Sequence, residues 1–477
     1  VGLGRRNGNT EEYFRGGQRT RWWVAGCSIF ATMLSSITYM AIPAKAFAQD
    51  LVYLVGNFMI LAVAPIAIYL ALPFFRRLDV TRAYEYLERR FNRSVRWFAS
   101  VSFTLFHIFR MGIVMSLAAL ALATTTPLSA TQCVLLMGGL SVLYCTLGGI
   151  AAVMWTDTIQ TGVLLGGGLL CFALALAGAT GGWGEWWTVA LEDGKLRGYN
   201  PGWDPTSPAL VLWVVALGAI GQNVSSYTAD QAVVQRYLTT PDPRRAARSI
   251  WAAALLAIPA SILFYLLGTA LYLYYKSHPE QLDPTFMTDQ ILPQFIAHAV
   301  PSGVAGLIVA GIFAAAQSTI STSMNSTATA VVTDFLRPLG VARDERSYLR
   351  WARALTLLSG LGGTALGVIF IDPANRSLFD SFLRVVGLFM GVLGGLFLLG
   401  MLTCRATGWG AMIGAMAGAS VMALLPVITA IHGYLYAAIG VTVCFGVGYG
   451  ARRFWPAPAH IRDLTIHSGA AALRTER

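Results

Sequence analysis

Apolar runs of about twenty residues recur along most of this 477-residue chain, and that recurrence leaves few folds open. In hydrocarbon every backbone amide needs a partner inside the protein, so a span is either a helix or a strand of a closed barrel. Barrel strands alternate polar and apolar residues. These runs do not, so the chain reads as an all-α, multi-span membrane protein. Composition agrees: 56% of residues are hydrophobic and 12% charged, against roughly one-quarter charged in a soluble domain. Twelve spans are expected, near 22–48, 51–75, 95–122, 128–147, 153–178, 208–228, 246–275, 300–333, 350–371, 378–403, 407–431 and 433–451. Cys27, Cys133, Cys145, Cys171, Cys404 and Cys444 lie in or beside apolar segments without a C-x-x-C pair. They read as buried apolar side chains, not as a disulfide framework or a zinc site.

The net charge of +11 is explained by topology. Of 34 Lys and Arg, all but seven lie in the two ends or in alternate connections. Lys195, Arg197, Lys276 and Arg376 occupy the other connections, and Lys45, Arg110 and Arg384 fall inside spans. The positive-inside rule then puts both ends in the cytoplasm, and the basic excess needs no nucleic acid. The opening VGLGRRNGNTEEYFRGG runs from apolar residues into Arg5 and Arg6. It reads as the end of a preceding helix, not as a signal peptide. No soluble domain is expected.

Polar groups inside spans are costly and tend to line a pathway. In SFTLFHIFRMGIVMSLAALAL, residues 102–122, Arg110 sits mid-span with His107 one turn away and no acid near it in sequence. Its partner is either a carboxylate on another span or one from outside the protein, which a guanidinium grips through two parallel hydrogen bonds. In FATMLSSITYMAIPAK, 30–45, Ser35, Ser36 and Thr38 interrupt a span ahead of Pro43. Either the helix unwinds there, freeing carbonyls such as those of Ala31 and Leu34 to face a cation, or the hydroxyls bond back to their own helix. AAAQSTISTSMNSTAT, 314–329, carries eight hydroxyls in positions 318–329. Ser318, Ser321 and Thr322 share one helix face, and neutral oxygens suit a hard cation such as sodium; the alternative is a small-residue packing face. Asp157, in MWTDTIQTGV, stands near the start of a span, where a carboxylate also suits the helix dipole.

These stretches resemble the sodium:solute symporter family. YCTLGGIAAVMWTDTIQ (144–160) looks like the family signature joining the fourth and fifth core helices. AAAQSTISTSMNS (314–326) looks like its sodium helix, and SSYTADQAVVQRY (225–237) like the end of the first helix of its second repeat. FATMLSSITYMAIPAKAF, TRAYEYLERRF and LFHIFRMG are most similar to bacterial sialic acid transporters. The resemblance covers essentially the whole chain. It implies a leucine-transporter-like inverted repeat of five plus five transmembrane helices, 22–178 and 208–403, with peripheral helices. Residues 1–21 would then hold the end of a missing first helix and a cytoplasmic segment, 179–207 an outer loop, 404–451 two peripheral helices and 452–477 a cytoplasmic tail. The implied location is the bacterial inner membrane.

The resemblance also implies Na+ as coupling ion. One sodium site would use the carbonyls of Ala31, Leu34 and Ala315 and the hydroxyls of Ser318 and Thr319. A second would use Asp157, Ser318, Ser321 and Thr322. Implied substrate contacts are Ser35, Thr38, Asn57 and Arg110, with Arg110 on the carboxylate. Two substrate-facing positions depart from the subgroup: Asn57 stands where it has a longer amide, and Met33 where it has a hydroxyl residue. Arg384 is foreign to the pattern, either a second anionic contact or a side chain reaching outward to water. The implied function is sodium-coupled import of sialic acid by alternating access, with two sodium ions per substrate. Symport of another small carboxylate, an amino acid or a different sugar acid, is the alternative, followed by a membrane sensor or enzyme. No enzyme is expected, because no span offers G-x-S-x-G or H-E-x-x-H, and the tail after 451 is too short for a signalling domain.

Overall fold

A helix cannot continue where its backbone turns extended, and that happens at Leu34, with φ −86° and ψ 132°. The first span is therefore two pieces, α1 (Trp22–Met33) and α2 (Ile37–Ala48), bent by 60°. The computed structural model of the chain describes residues 18–34, 36–77, 83–179, 182–207, 210–282, 288–371, 378–456, 458 and 464–466; Ser35, an expected substrate contact, lies outside them. The remaining helices are α3 (Val52–Arg76), α4 (Ala83–Arg90), α5 (Arg93–Thr125), α6 (Ala130–Leu143), α7 (Val153–Gly178), α8 (Gly182–Glu192), α9 (Leu212–Thr228), α10 (Gln231–Leu238), α11 (Pro243–Ser277), α12 (Ile291–Ala299), α13 (Ser302–Leu336), α14 (Glu345–Phe370), α15 (Leu378–Leu402), α16 (Gly408–Ile428) and α17 (Gly433–Arg453). Each of the twelve expected spans has a helical counterpart among the described residues.

Two spans differ from expectation. Helical residues follow one another through Ala130–Gly178 with almost no connection between the two spans, yet they form two helices, α6 and α7, that run antiparallel. Along α6, Val134, Gly138 and Val142 meet Gly367, Thr364 and Gly360, so α6 runs opposite to α14. Along α7, Val163 and Gly167 meet Gly311 and Ile308, so α7 runs opposite to α13. The chain doubles back between the two arms. The other difference is at α9, which stops at Thr228 and resumes as α10 after Asp230, whose side chain accepts from Ala232 N at 2.8 Å. The first helix of each expected repeat is thus interrupted, and Leu34 and Asp230, at the two breaks, line one cavity.

The basic connections also do structural work at their end of the bundle. Arg90 is buried and donates to the carbonyls of Gly400, Thr403 and Ala406, closing the end of α15. Arg96 bonds Asp334 and Glu88, tying α5 to α13 and α4. Free carbonyls at a helix end need such donors.

Close helix crossings need small residues. At Gly268 of α11 a Cβ would stand 2.3 Å from the carbonyl oxygen of Pro43 and 2.7 Å from Ala46 Cβ, both on α2. Backbone cannot retreat as a flexible side chain can. Gly268→Ala should therefore lower stability by about 1–3 kcal/mol through overpacking. The check is the melting temperature of purified protein; an unchanged value would show that α2 gives way freely.

Candidate functional site

The end of α1 leaves its last carbonyls without amide donors and carries the negative pole of the helix. Two side chains answer it. Arg110 Nη2, from the middle of α5, donates to Thr32 O at 2.5 Å. Ser318 Oγ, from α13, donates to Ala31 O at 3.1 Å. Arg110 is thus partnered by backbone, a solution that neither reading of the sequence contained. Its Nε is buried with no hydrogen-bond partner among the described residues. Thr319, one residue beyond Ser318, is fully buried, and its hydroxyl is likewise without a partner among them. Ala315 is buried one turn earlier, and Leu34 closes the helix end.

Beside this helix end lies a cavity with about 140 Å³ of water-accessible space. Arg110, Met33, Leu34, Thr38 and Asn57 line it, so every described residue expected to face a substrate does reach one space. Asn57 Nδ2 donates to Ser261 Oγ at 3.0 Å, and both belong to the lining. Gln222, Asn223 and Ser226 of α9 add further polar groups. Thr38 lies in a π-helical turn, Ile37–Ala41, and the lining residues Val386 and Met390 lie in another, Val386–Gly391. Such bulges recur at functional sites because they re-aim side chains. Arg384 is exposed and is not in this lining, which favours its outward-reaching reading.

Asp230, at the second helix break, also lines the cavity. It is a carboxylate near Arg110 that the sequence reading did not assign. His107 stands between the cavity and the hydroxyl helix: its Nε2 is 3.4 Å from Asp230 Oδ1 and its Nδ1 is 2.8 Å from Ser323 Oγ.

The second expected ion site holds a charged side chain as well. Asp157 is fully buried. Its Oδ2 accepts from Ser28 Oγ at 2.5 Å and from Arg236 Nη2 at 3.2 Å. The same Nη2 donates to Thr322 Oγ1 at 2.5 Å, and Arg236 Nε to Ser28 Oγ at 2.7 Å. Asp157 and Thr322 are therefore brought together, joined by a guanidinium. Ser318 lies close to the carboxylate, while Ser321 Oγ bonds back to Ser318 O at 3.0 Å. Ser28, Asp230 and Arg236 escaped the sequence reading. The available signal was SSYTADQAVVQRY, where the charged residues Asp230 and Arg236 follow a span directly.

Comparison with known proteins gives this geometry a context. The model of the sodium:solute symporter family matches residues 13–418. The chain is 37% identical over 453 residues to the sodium/sialic acid symporter NanT of Aliivibrio fischeri, covering 94% of this chain and 89% of that protein. It is 36% identical over 450 residues to the sodium/sialic acid symporter SiaT of Proteus mirabilis, covering 92% and 89%. A solved substrate-bound, outward-open Na+-coupled sialic acid symporter matches with a TM-score of 0.89 at 34% identity, covering 96% of this chain and 95% of that one. The fold is the leucine-transporter-like one expected.

A buried hydroxyl without a protein partner is a poor stabiliser but a ready ligand. Thr319→Val keeps the shape and removes only the oxygen. In sodium-free buffer it should leave the melting temperature unchanged or slightly raised. The rise in melting temperature on adding sodium should shrink. A full sodium response in Thr319→Val would exclude this hydroxyl as a ligand.

Proposed function

The chain belongs to the sodium:solute symporter family, and from that premise we propose that it is a sodium-coupled importer of sialic acid. Sialic acid is a sugar acid: one carboxylate, an amide and many hydroxyls. The observation that carries the reading is the pairing of one buried guanidinium with amide and hydroxyl side chains in a single cavity. Arg110 takes the carboxylate, exchanging or sharing its bond to Thr32 O. Thr38, Asn57, Asn223, Ser226 and Ser261, all in the same lining, meet the substrate's hydroxyls and amide in this reading. A short monocarboxylate would leave most of these groups without partners, and unpaired buried polar groups weaken binding.

Two sodium ions accompany the substrate in this proposal. The first is held at the end of α1 by Ala31 O, Leu34 O, Ala315 O, Ser318 and Thr319. The second is held by Asp157 with Ser318, Ser321 and Thr322. Neutral oxygens and one carboxylate suit a monovalent hard cation. The Thr319 hydroxyl and Asp157 Oδ1, both without a hydrogen-bond partner among the described residues, support the fit. The membrane is a bacterial inner membrane, with the basic end of the bundle and both chain ends in the cytoplasm. Interrupted helices let the two repeats rock around the cavity and expose it alternately to either side.

The experiment is binding of purified protein to sialic acid, to a short monocarboxylate and to an amino acid, each in sodium and in choline. Sodium-dependent binding of sialic acid is expected; binding of only the monocarboxylate or the amino acid would overturn the substrate. The charge-assisted bonds of Arg110 are worth about 1.5–3 kcal/mol each. Arg110→Ala should weaken binding by more than about tenfold. Arg110→Lys should fall between, because a point charge replaces a planar fork. Affinity within about threefold of wild type in Arg110→Ala would remove the carboxylate role from this residue.

Stoichiometry tests Asp157. Two ions with one anion move a net positive charge, worth about 2.3 kcal/mol at 100 mV, whereas one ion moves none. Asp157→Asn keeps the shape and removes the charge. It should bring the Hill coefficient for sodium towards one and reduce substrate-induced current. A wild-type protein without current, or a mutant keeping a coefficient near two, would make Asp157 a structural carboxylate.

A further inference from the structure

We propose that Arg236 is a tethered cation that holds the Asp157 site whenever sodium is absent, and that sodium enters by displacing its guanidinium. This inference rests on the second sodium site proposed above. It adds what that site does in the rest of the cycle.

The geometry carries the argument. Arg236 Nη2 bonds both Asp157 Oδ2 and Thr322 Oγ1. A sodium ion touching those two oxygens would lie where Nη2 lies. Two cations cannot share that position, since their repulsion is large wherever water is excluded. The pocket is closed to water: Asp157 is 0% exposed, Ser28 0%, Arg236 1% and Thr322 1%. The guanidinium also has somewhere to go. Its Nη1 bonds Ala232 O at 2.7 Å within its own helix, and Asp230 is the other carboxylate that acts on it. Both lie on α10 or at its start, so a turn of the side chain along α10 keeps Arg236 partnered after it leaves Asp157.

The physical need is plain. A symporter must return without its cargo. An Asp157 stripped of sodium in a dry pocket would be an uncompensated buried charge, which is strongly disfavoured. A lysine- or arginine-borne charge fixed to the protein compensates it with no ion bound. Arg236 therefore allows the unloaded carrier to reorient, and it sets the sodium concentration needed to load the site. If the guanidinium occupies the site nine-tenths of the time, apparent sodium affinity is lowered about tenfold.

The test uses the full-length protein. In choline-balanced buffer, the sodium concentration giving half of the rise in melting temperature is measured for wild type, Arg236→Gln, Arg236→Lys and Asp157→Asn. Arg236→Gln should melt lower without sodium and reach half-saturation at about tenfold less sodium. In liposomes its ratio of exchange of labelled sialic acid, with sodium on both sides, to net uptake should rise about tenfold, because only net uptake needs the unloaded return. An unchanged or raised half-saturation, or equal loss of exchange and net uptake, would overturn the proposal. Should Arg236→Gln not fold, Arg236→Lys gives the same reading: a point charge holds Thr322 and Asp157 less well, so half-saturation should fall at least about threefold, and no fall overturns it. Asp157→Asn with a wild-type sodium response would instead remove the ion from Asp157, overturning the site and this inference together.

Discussion

A helix that stops inside a membrane leaves carbonyls with no amide to meet and a negative pole with no water to screen it. The rest of this structure is arranged around that constraint at the end of α1. Arg110 and Ser318 reach it from two other helices and bond adjacent carbonyls, Thr32 O and Ala31 O. The permanently charged group in the middle of α5 is tolerated because the broken helix supplies the negative end it needs. Neither feature is stable alone: an unbroken α1 would strand Arg110, and without Arg110 the carbonyl of Thr32 would lie buried and unpaired.

The second break repeats the logic with side chains. Asp230 caps α10 through Ala232 N and shares the cavity with Arg110. Two turns along the same helix, Arg236 meets Asp157 and Thr322. A short helix of eight residues thus has its start beside the cavity and its last turn against the hydroxyl helix. His107 makes a second link between the same places, from Ser323 to Asp230. Among the described residues, Arg110, Asp157, Asp230 and Arg236 each have a hydrogen-bond partner from the protein against them. That is the condition for keeping ionised groups out of water.

The long spans were legible because apolar length is a property of sequence alone. The break at Leu34 was one of two readings of hydroxyls followed by proline, and Arg110 stood out by residue type, whereas Asn57, Met33 and Thr38 entered as substrate contacts through the family resemblance. What sequence concealed follows from the same physics. The partner of Arg110 is a carbonyl, and carbonyls are present at every residue. Asp230 and Arg236 read as loop residues because hydropathy ends at Thr228, yet α10 folds back inward and buries both. The break between α9 and α10 had no proline to mark it. The reversal between α6 and α7 was expected from the positions of the two spans, and the two helices follow one another with almost no connection between them.

The two proposed cargoes meet at one helix end, and this bears on how they are coupled. Ser318 and Arg110 bond carbonyls one residue apart, so a ligand that draws either side chain changes the field felt by the other. A substrate carboxylate pulling Arg110 from Thr32 O removes a positive charge from the end of α1. The carbonyls of Ala31 and Thr32 are then less compensated and more attractive to a sodium ion. Sodium at the same end, conversely, compensates the carbonyls and releases Arg110 to the carboxylate. Linkage requires the two effects to be equal, and couplings of this kind amount to about 1–3 kcal/mol. No long-range pathway is needed: the two ligands compete for, and relieve, the same few backbone oxygens.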